Sequence, residues 1–238
     1  MWADLLQFAA NYEIKLAADS PSLFEQYYRI LVDANKRFNL TSITEPQEVL
    51  IKHFLDSLML LSLFPLQAEK ILDVGSGAGL PGVPLKIARP RLFLTLLDSL
   101  QKRVKFLQQL TKQLQLDQVE CYHGRAENLA QKDPWRENYD FVLARAVARL
   151  NVLTELCLPF VRVGGYFVAY KGPEGERELQ EAEYAITELG GEKGKIWHYE
   201  LPQKMGIRTL LVIKKIKSTP IKYPRKAGLP SKRPLVKP

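Results

Sequence analysis

The chain is poor in the residues that build covalent or metal-bound sites. Only two cysteines, Cys121 and Cys157, occur in 238 residues, there is no C-x-x-C pair, and there are three histidines. That excludes a disulfide scaffold and leaves too few soft or imidazole ligands for a metal centre, so each thiol is expected to be free and buried and no metal is expected. No apolar run approaches the roughly 18–20 residues that cross a bilayer, and the N-terminus lacks the basic stretch and apolar core of a secretory signal. A cytoplasmic protein without a membrane partner is expected. Acidic residues are missing from the basic C-terminal end. From Lys214 to Pro238 nine Lys or Arg stand without an acid, while residues 1–213 hold 25 basic residues against all 26 acids, a net of −1. The near-neutral body and basic end predict that a polyanion is met chiefly by the tail, which Pro220, Pro224, Pro230, Pro234 and Pro238 mark as extended.

What is abundant is glycine in one place. Lys70 to Gly82 reads K-I-L-D-V-G-S-G-A-G-L-P-G: a short apolar run, four glycines, then the apolar segment Val83 to Ala88. The order is strand, tight turn, helix start. Glycine permits positive φ and close approach of a ligand, and the helix start offers unpaired N–H groups, so a small polar ligand is expected here. Gly77, Gly79 and Gly82 satisfy G-x-G-x-x-G, with Asp98 following Gly77 by 21 residues, a formal dinucleotide fingerprint. The absence of Gly-Lys-Ser/Thr excludes a P-loop. Asp73 lies two residues before the first glycine, and D-V-G-S-G-A-G resembles the D-x-G-x-G-x-G motif of class I S-adenosylmethionine-dependent methyltransferases. An NAD-dependent oxidoreductase using the same glycines remains the rival.

Around this turn the chain divides into an N-terminal helical cap (1–65), an α/β domain (66–216) and the basic, Pro-rich tail (217–238). Helical spacing predicts a helix over 2–17, a second opening at Ser20-Pro21, and a third opened by the capping box Thr44-x-x-Gln47 and running to Leu60. Strands are predicted over 70–74, 92–97, 118–122, 139–144, 165–170, 195–201 and 208–214. Helices are predicted over 81–88, 99–114, 127–131, 148–158 and 174–189. The alternation is that of a parallel sheet with crossover helices.

Ligands of such sheets sit at the carboxyl ends of the strands. Asp98 and Ser99 follow the second strand, where a carboxylate can accept hydrogen bonds from both ribose hydroxyls, or cap the helix beginning near Leu100. Ala126 and Glu127 follow the third strand, and Ala144-Arg145-Ala146-Val147 ends the fourth. That last stretch is neither Asp/Asn-Pro-Pro-aromatic nor Pro-Cys, which excludes the usual activation of exocyclic amines and of pyrimidine C6. An acceptor needing no deprotonation, such as guanine N7, fits. Arg145 could address the guanine edge or a phosphate, or make a structural salt bridge.

Several blocks in order carry a more specific resemblance: R-F-N-L-T-S-I, H-F-L-D-S-L, I-L-D-V-G-S-G-A-G-L-P-G-V-P-L, L-L-D-S-L-Q-K-R-V-K-F-L, A-R-A-V-A-R-L, and Lys171-Gly172. Together they resemble the glucose-inhibited division protein B family. The resemblance implies a seven-strand, Rossmann-like class I sheet whose last strand pair is antiparallel. It implies S-adenosylmethionine as cofactor and N7 of a guanosine in 16S ribosomal RNA as acceptor, on naked RNA or in a ribosomal particle. The sequence does not reveal the oligomeric state, for which a monomer is favoured. Carried onto this sequence, cofactor contacts fall on Gly75, Gly77, Leu80, Asp98, Ser99, Ala126, Glu127 and Arg145, with Arg145 at the junction with the acceptor and assigned the catalytic role. His53, Asn39 and Lys171 are acceptor-side candidates. The non-enzyme rival is an RNA-binding ribosome assembly factor, against which the intact glycine motif and Asp98 argue.

Overall fold

The computed structural model describes residues 1–145 and 148–237. Ala146 and Val147 of the A-R-A-V stretch, and Pro238 of the tail, lie outside the described residues.

Seven strands form one sheet in the order β3-β2-β1-β4-β5-β7-β6. They are β1 (Lys70–Val74), β2 (Phe93–Asp98), β3 (Val119–His123), β4 (Tyr139–Arg145), β5 (Val161–Lys171), β6 (Gly191–Glu200) and β7 (Ile207–Lys215). The first five pair in parallel, and β7 runs antiparallel between β5 and β6. β1 lies inside the sheet, between β2 and β4. Ile71 and Leu72, which point to opposite faces, are both fully buried, so the strand is one continuous apolar run rather than an alternation.

Two cores cover the two faces. On one, α1 (Asp4–Ala10), α2 (Ser20–Phe38), α5 (Gly82–Ala88) and α6 (Gln101–Gln113) pack together with the helical segment before β1. On the other lie α7 (Ala126–Leu129), α8 (Leu150–Cys157), α9 (Gly175–Glu188) and the chain end with α10 (Leu229–Lys232). The N-terminal helices thus share a core with the sheet.

The first and third predicted helices differ from the structure. The first stops at Ala10, and Glu13 takes φ 62°, so residues 11–17 turn instead. The third has no capping box. Its N-cap is Glu45 without a side-chain bond, and Thr44 instead gives its carbonyl to the Tyr28 hydroxyl (3.1 Å). It then runs through four segments in three geometries: α3 (Pro46–Glu48), a π-helix Val49–Leu55, α4 (Asp56–Leu58) and a 3₁₀ turn Met59–Ser62. The wide π turn holds His53, in keeping with the tendency of such turns to mark functional positions.

The tail is a strap and not an extended arm. Lys215 is fully buried and donates to the carbonyl of Leu158 (2.7 Å) and to Thr219. Arg136 reaches back to the carbonyls of Thr219 (2.7 Å) and Tyr223 (2.9 Å). Glu155, also fully buried, accepts from the backbone N–H (2.8 Å), Nε and Nη2 (2.6 Å) of Arg225. Tyr223, Pro230 and Leu235 are buried, while Lys217, Lys222, Lys226, Lys232, Arg233 and Lys237 face outward. Proline spacing indicates an extended conformation but not whether partners exist for it, and here the partners are buried acids on the body.

Replacing Arg225 with Ala removes the guanidinium from a buried carboxylate and is expected to lower the unfolding free energy by about 3–5 kcal/mol. Urea denaturation measures this, and a loss below about 1 kcal/mol would show that the strap is not anchored there.

Candidate cofactor and acceptor site

The strand order reverses at β1, and the carboxyl ends of β1, β2, β3 and β4 open onto two adjoining cavities, of about 520 and 180 Å³. The larger is lined by Leu40, Thr41, Ser42, His53, Gly75, Ser76, Gly77, Ala78, Leu80, Asp98, Ser99, Arg103 and Arg145. The smaller includes Val74, Gly75, Leu97, Ser99, Gly124, Arg125, Ala126, Glu127 and Ser231. Gly75 and Ser99 line both. All eight cofactor residues expected from the sequence line these cavities.

The turn after β1 is held by two carboxylates. Asp73 is fully buried, and its Oδ2 accepts the N–H of Gly82 (2.9 Å), tying strand to helix start. Its other oxygen, buried, has no partner among the described residues. Burial pushes its carboxyl up to about 7. Asp98 accepts the N–H of Gly77 through Oδ2 (2.9 Å) and that of Leu100 through Oδ1 (2.8 Å), bracing the turn against the start of α6. Of the two sequence roles only the bond at the start of the helix is seen, and because a carboxylate has about four acceptor sites with two in use, lone pairs are left over on the cavity side.

The glycines divide the labour. A Cβ at Gly79 would stand 2.8 Å from the Tyr27 hydroxyl, and one at Gly82 would stand 2.9 Å from Asp73 Oδ2, so both serve packing. Gly77, at φ +55°, would meet only its own turn and the tip of Arg103. Its bareness serves the cavity. Arg103 approaches Asp98 at 3.5 Å, and its buried Nε has no partner among the described residues. Sequence reasoning missed it, although its place in the first turn of the helix after β2 puts it opposite the glycines.

Arg145 enters from β4. Its Nη1 donates to Asp56 Oδ2 (3.0 Å) and lies near the carbonyls of Lys52 (3.3 Å) and His53 (3.4 Å); its Nη2 meets His53 Nδ1 (3.0 Å). Asp56 Oδ1 accepts the Tyr199 hydroxyl (2.6 Å). His53 Nε2 lies 2.8 Å from the Thr41 hydroxyl. Burial, and then the charge of Arg145, push His53 down to about 4.

Asn39 is exposed and ends α2 in the left-handed conformation. Lys171 is engaged by the Ala148 carbonyl and by Glu178, each at 2.7 Å. Neither lines the cavities. Glu127 does, and its Oε1 accepts the N–H of Gly228 (2.8 Å), so the strap helps fix this wall. Nothing in the residues around 127 announces a partner a hundred positions away. Burial raises both thiols, Cys121 to about 11 and Cys157 well above its ordinary value, and neither lines these cavities; Cys121 is half-buried rather than buried. No cluster able to hold a metal occurs among the described residues.

The adjoining cavities fit S-adenosylmethionine by the chemistry of their walls. There is a carboxylate with spare lone pairs for a ribose, a bare glycine turn and an unpaired arginine N–H toward an amino-acid moiety, and an apolar slot with an acid for adenine. Fold and site together define a class I methyltransferase. A solved O-methyltransferase from Bacillus cereus shares the fold at 17% identity, with a TM-score of 0.59 over 90% of this chain and 98% of that one. The model of the GidB family, described as rRNA small subunit methyltransferase G, matches residues 21–205, and the chain belongs to that family. Similar curated relatives are the Ribosomal RNA small subunit methyltransferases G of Desulforamulus reducens, 49% identical over 97% of both chains, and of Brevibacillus brevis, 48% identical over 97% of this chain and 98% of that one.

The lowered pKa of His53 has a measurable sign. Between about 4 and 6.5 the unfolded chain binds the extra proton, so the stability this group contributes is present above 6.5 and lost as pH falls toward 4. Asp73 works oppositely, losing stability as pH rises from 3.8 to about 7. Comparison with His53→Gln isolates the histidine: the advantage of wild type is expected to shrink by about 2–3 kcal/mol between roughly pH 7 and 4.5. Parallel stability curves would contradict this.

Proposed function

We propose that the chain transfers a methyl group from S-adenosylmethionine to N7 of one guanosine in 16S ribosomal RNA, acting as a cytoplasmic monomer. The observation that carries it is the convergence of the glycine turn, Asp98 and the Arg145–Asp56–His53 group on one cavity in a member of this family. When bound, S-adenosylmethionine supplies an electrophilic methyl group on a sulfonium. The residues do the positioning. Asp98 holds the ribose hydroxyls, Gly75, Gly77 and Leu80 bring the backbone against the methionine portion with Arg103 beside them, and Ser99, Ala126 and Glu127 border adenine.

Arg145 stands where cofactor and acceptor meet. A lone cation there would repel a sulfonium, but Asp56 compensates it at 3.0 Å, so the pair presents a polar wall of little net charge. Guanine N7 attacks through an available lone pair, and no group has to remove a proton first. The neutral His53 and the absence of a reactive thiol suit this chemistry. The three-part division remains functional: the cap (1–65) forms the acceptor wall, the sheet (66–216) the cofactor wall, and the strap (217–238) carries outward cations toward RNA phosphates. The NAD rival is disfavoured by β7, because the dinucleotide sheet has order 3-2-1-4-5-6 without that antiparallel strand. No helix among the described residues is long and apolar enough to cross a membrane.

Asp98→Ala is expected to weaken S-adenosylmethionine about ten- to a hundredfold, the cost of a charge-assisted hydrogen bond. Calorimetry with unchanged affinity would remove the ribose role. Nucleoside mass spectrometry of 16S ribosomal RNA treated with the protein is expected to give 7-methylguanosine. Recovery of 5-methylcytidine or 6-methyladenosine would refute the acceptor assignment.

A further inference from the structure

The loop joining α2 to α3 is held more firmly than a connection requires. Asn35 clamps it, its Oδ1 accepting the N–H groups of Leu40 (2.6 Å) and Thr41 (2.9 Å) and its Nδ2 donating to the Thr41 carbonyl (2.9 Å). The backbone of Thr41 is thereby fully used. Its side chain faces the larger cavity, opposite the glycine turn.

The protons around that side chain can be assigned by elimination. Arg145 has only donors, so His53 Nδ1, 3.0 Å from Nη2, must accept. The imidazole hydrogen is then on Nε2, which donates to Thr41 Oγ1 at 2.8 Å. The N–H of Ile43 donates to the same oxygen at 3.0 Å. Both lone pairs of the hydroxyl are occupied. Its own hydrogen has no acceptor among the described residues, so the threonine presents the cavity with a fixed donor and no acceptor.

We propose that Thr41 is a specificity residue whose hydroxyl, held as a pure donor by His53 and the Ile43 amide, reads O6 of the acceptor guanine. The inference rests on the guanine-N7 reading above. Guanine shows two adjacent acceptors on this edge, N7 and O6, whereas adenine shows N7 beside an amino donor. With N7 turned to the methyl group, O6 is the neighbouring atom that must be satisfied, and an amino group there would face a donor. Arg145 and His53 act as positioning residues, transmitting the tautomer from β4 to the loop. A site built to donate to an oxygen discriminates strongly, because the wrong base leaves a buried polar group unpaired.

The test uses the full chain as wild type, Thr41→Val and Thr41→Ser, on ribosomal RNA whose target position, located by nucleoside mapping, carries guanine or 2-aminopurine, which keeps N7 and lacks O6. Wild type is expected to favour guanine through this contact by about ten- to a hundredfold in kcat/KM. Thr41→Val should lose that factor on guanine and almost nothing on 2-aminopurine, with S-adenosylmethionine affinity unchanged; Tm falls because His53 Nε2–H and the Ile43 N–H lose their acceptor, a loss common to both bases that leaves their ratio as the readout. Thr41→Ser should retain most of the preference. The proposal is overturned if Thr41→Val loses equally on both bases, if Ser fails as Val does, or if cofactor affinity falls with the hydroxyl. A wild type that makes no 7-methylguanosine overturns the underlying reading instead, and is recognised before any variant is compared.

Discussion

The pairing of Arg145 with Asp56 is the constraint on which the rest of the site depends. It joins the end of a central strand to the helical segment before β1, with the arginine side chain 14% and the aspartate 5% exposed. Buried ion pairs seldom add much net stability, but removing one member leaves an uncompensated charge, so the arrangement resists any other relation between cap and sheet. Every further contact uses a valence this pair leaves open. Asp56 accepts from Tyr199 on β6, and Arg145 fixes the His53 ring, which in turn reaches Thr41.

The same logic recurs at the other end of the chain. Glu155 is a fully buried acid on α8 that would be costly alone, and Arg225 arrives from the strap to satisfy it. Through Gly228 the strap also holds Glu127, a wall of the smaller cavity. A segment that contributes outward-facing cations is therefore anchored by buried acids, one of which lines the smaller cavity. Outward-facing Lys226, Lys232 and Arg233 and the Gly228 contact that holds a wall of the smaller cavity thus lie within one short stretch.

How far the sequence could be read depends on the range of the interaction concerned. The K-I-L-D-V-G-S-G-A-G turn, its helix and the following Asp98 were legible because strand, glycine and cap signals are local. The π-helix over Val49–Leu55 was not: its residues have ordinary helical spacing, and the wide turn comes from how the segment seats against the sheet. Likewise Thr44-x-x-Gln47 has the letters of a capping box, yet Tyr28 claims the Thr44 carbonyl from another helix. Arg103 is not legible as a cavity residue, because a basic residue in a helix reads as a solvated face until the glycines opposite it are in place.

By itself, then, the sequence determined the class of sheet, the strand after which the ligand turn falls, and the residue types along the carboxyl edge, since these follow from periodicity and from glycine and carboxylate chemistry within a few residues. Only the tertiary structure decided which groups meet across the cavity: His53 with Arg145 at 92 positions' separation, Arg225 with Glu155 at 70, and Gly228 with Glu127 at 101. The reason is physical. A buried charge or a singly protonated imidazole is tolerable only when a partner stands at hydrogen-bonding distance, and that distance is set by the packing of whole elements rather than by spacing along the chain.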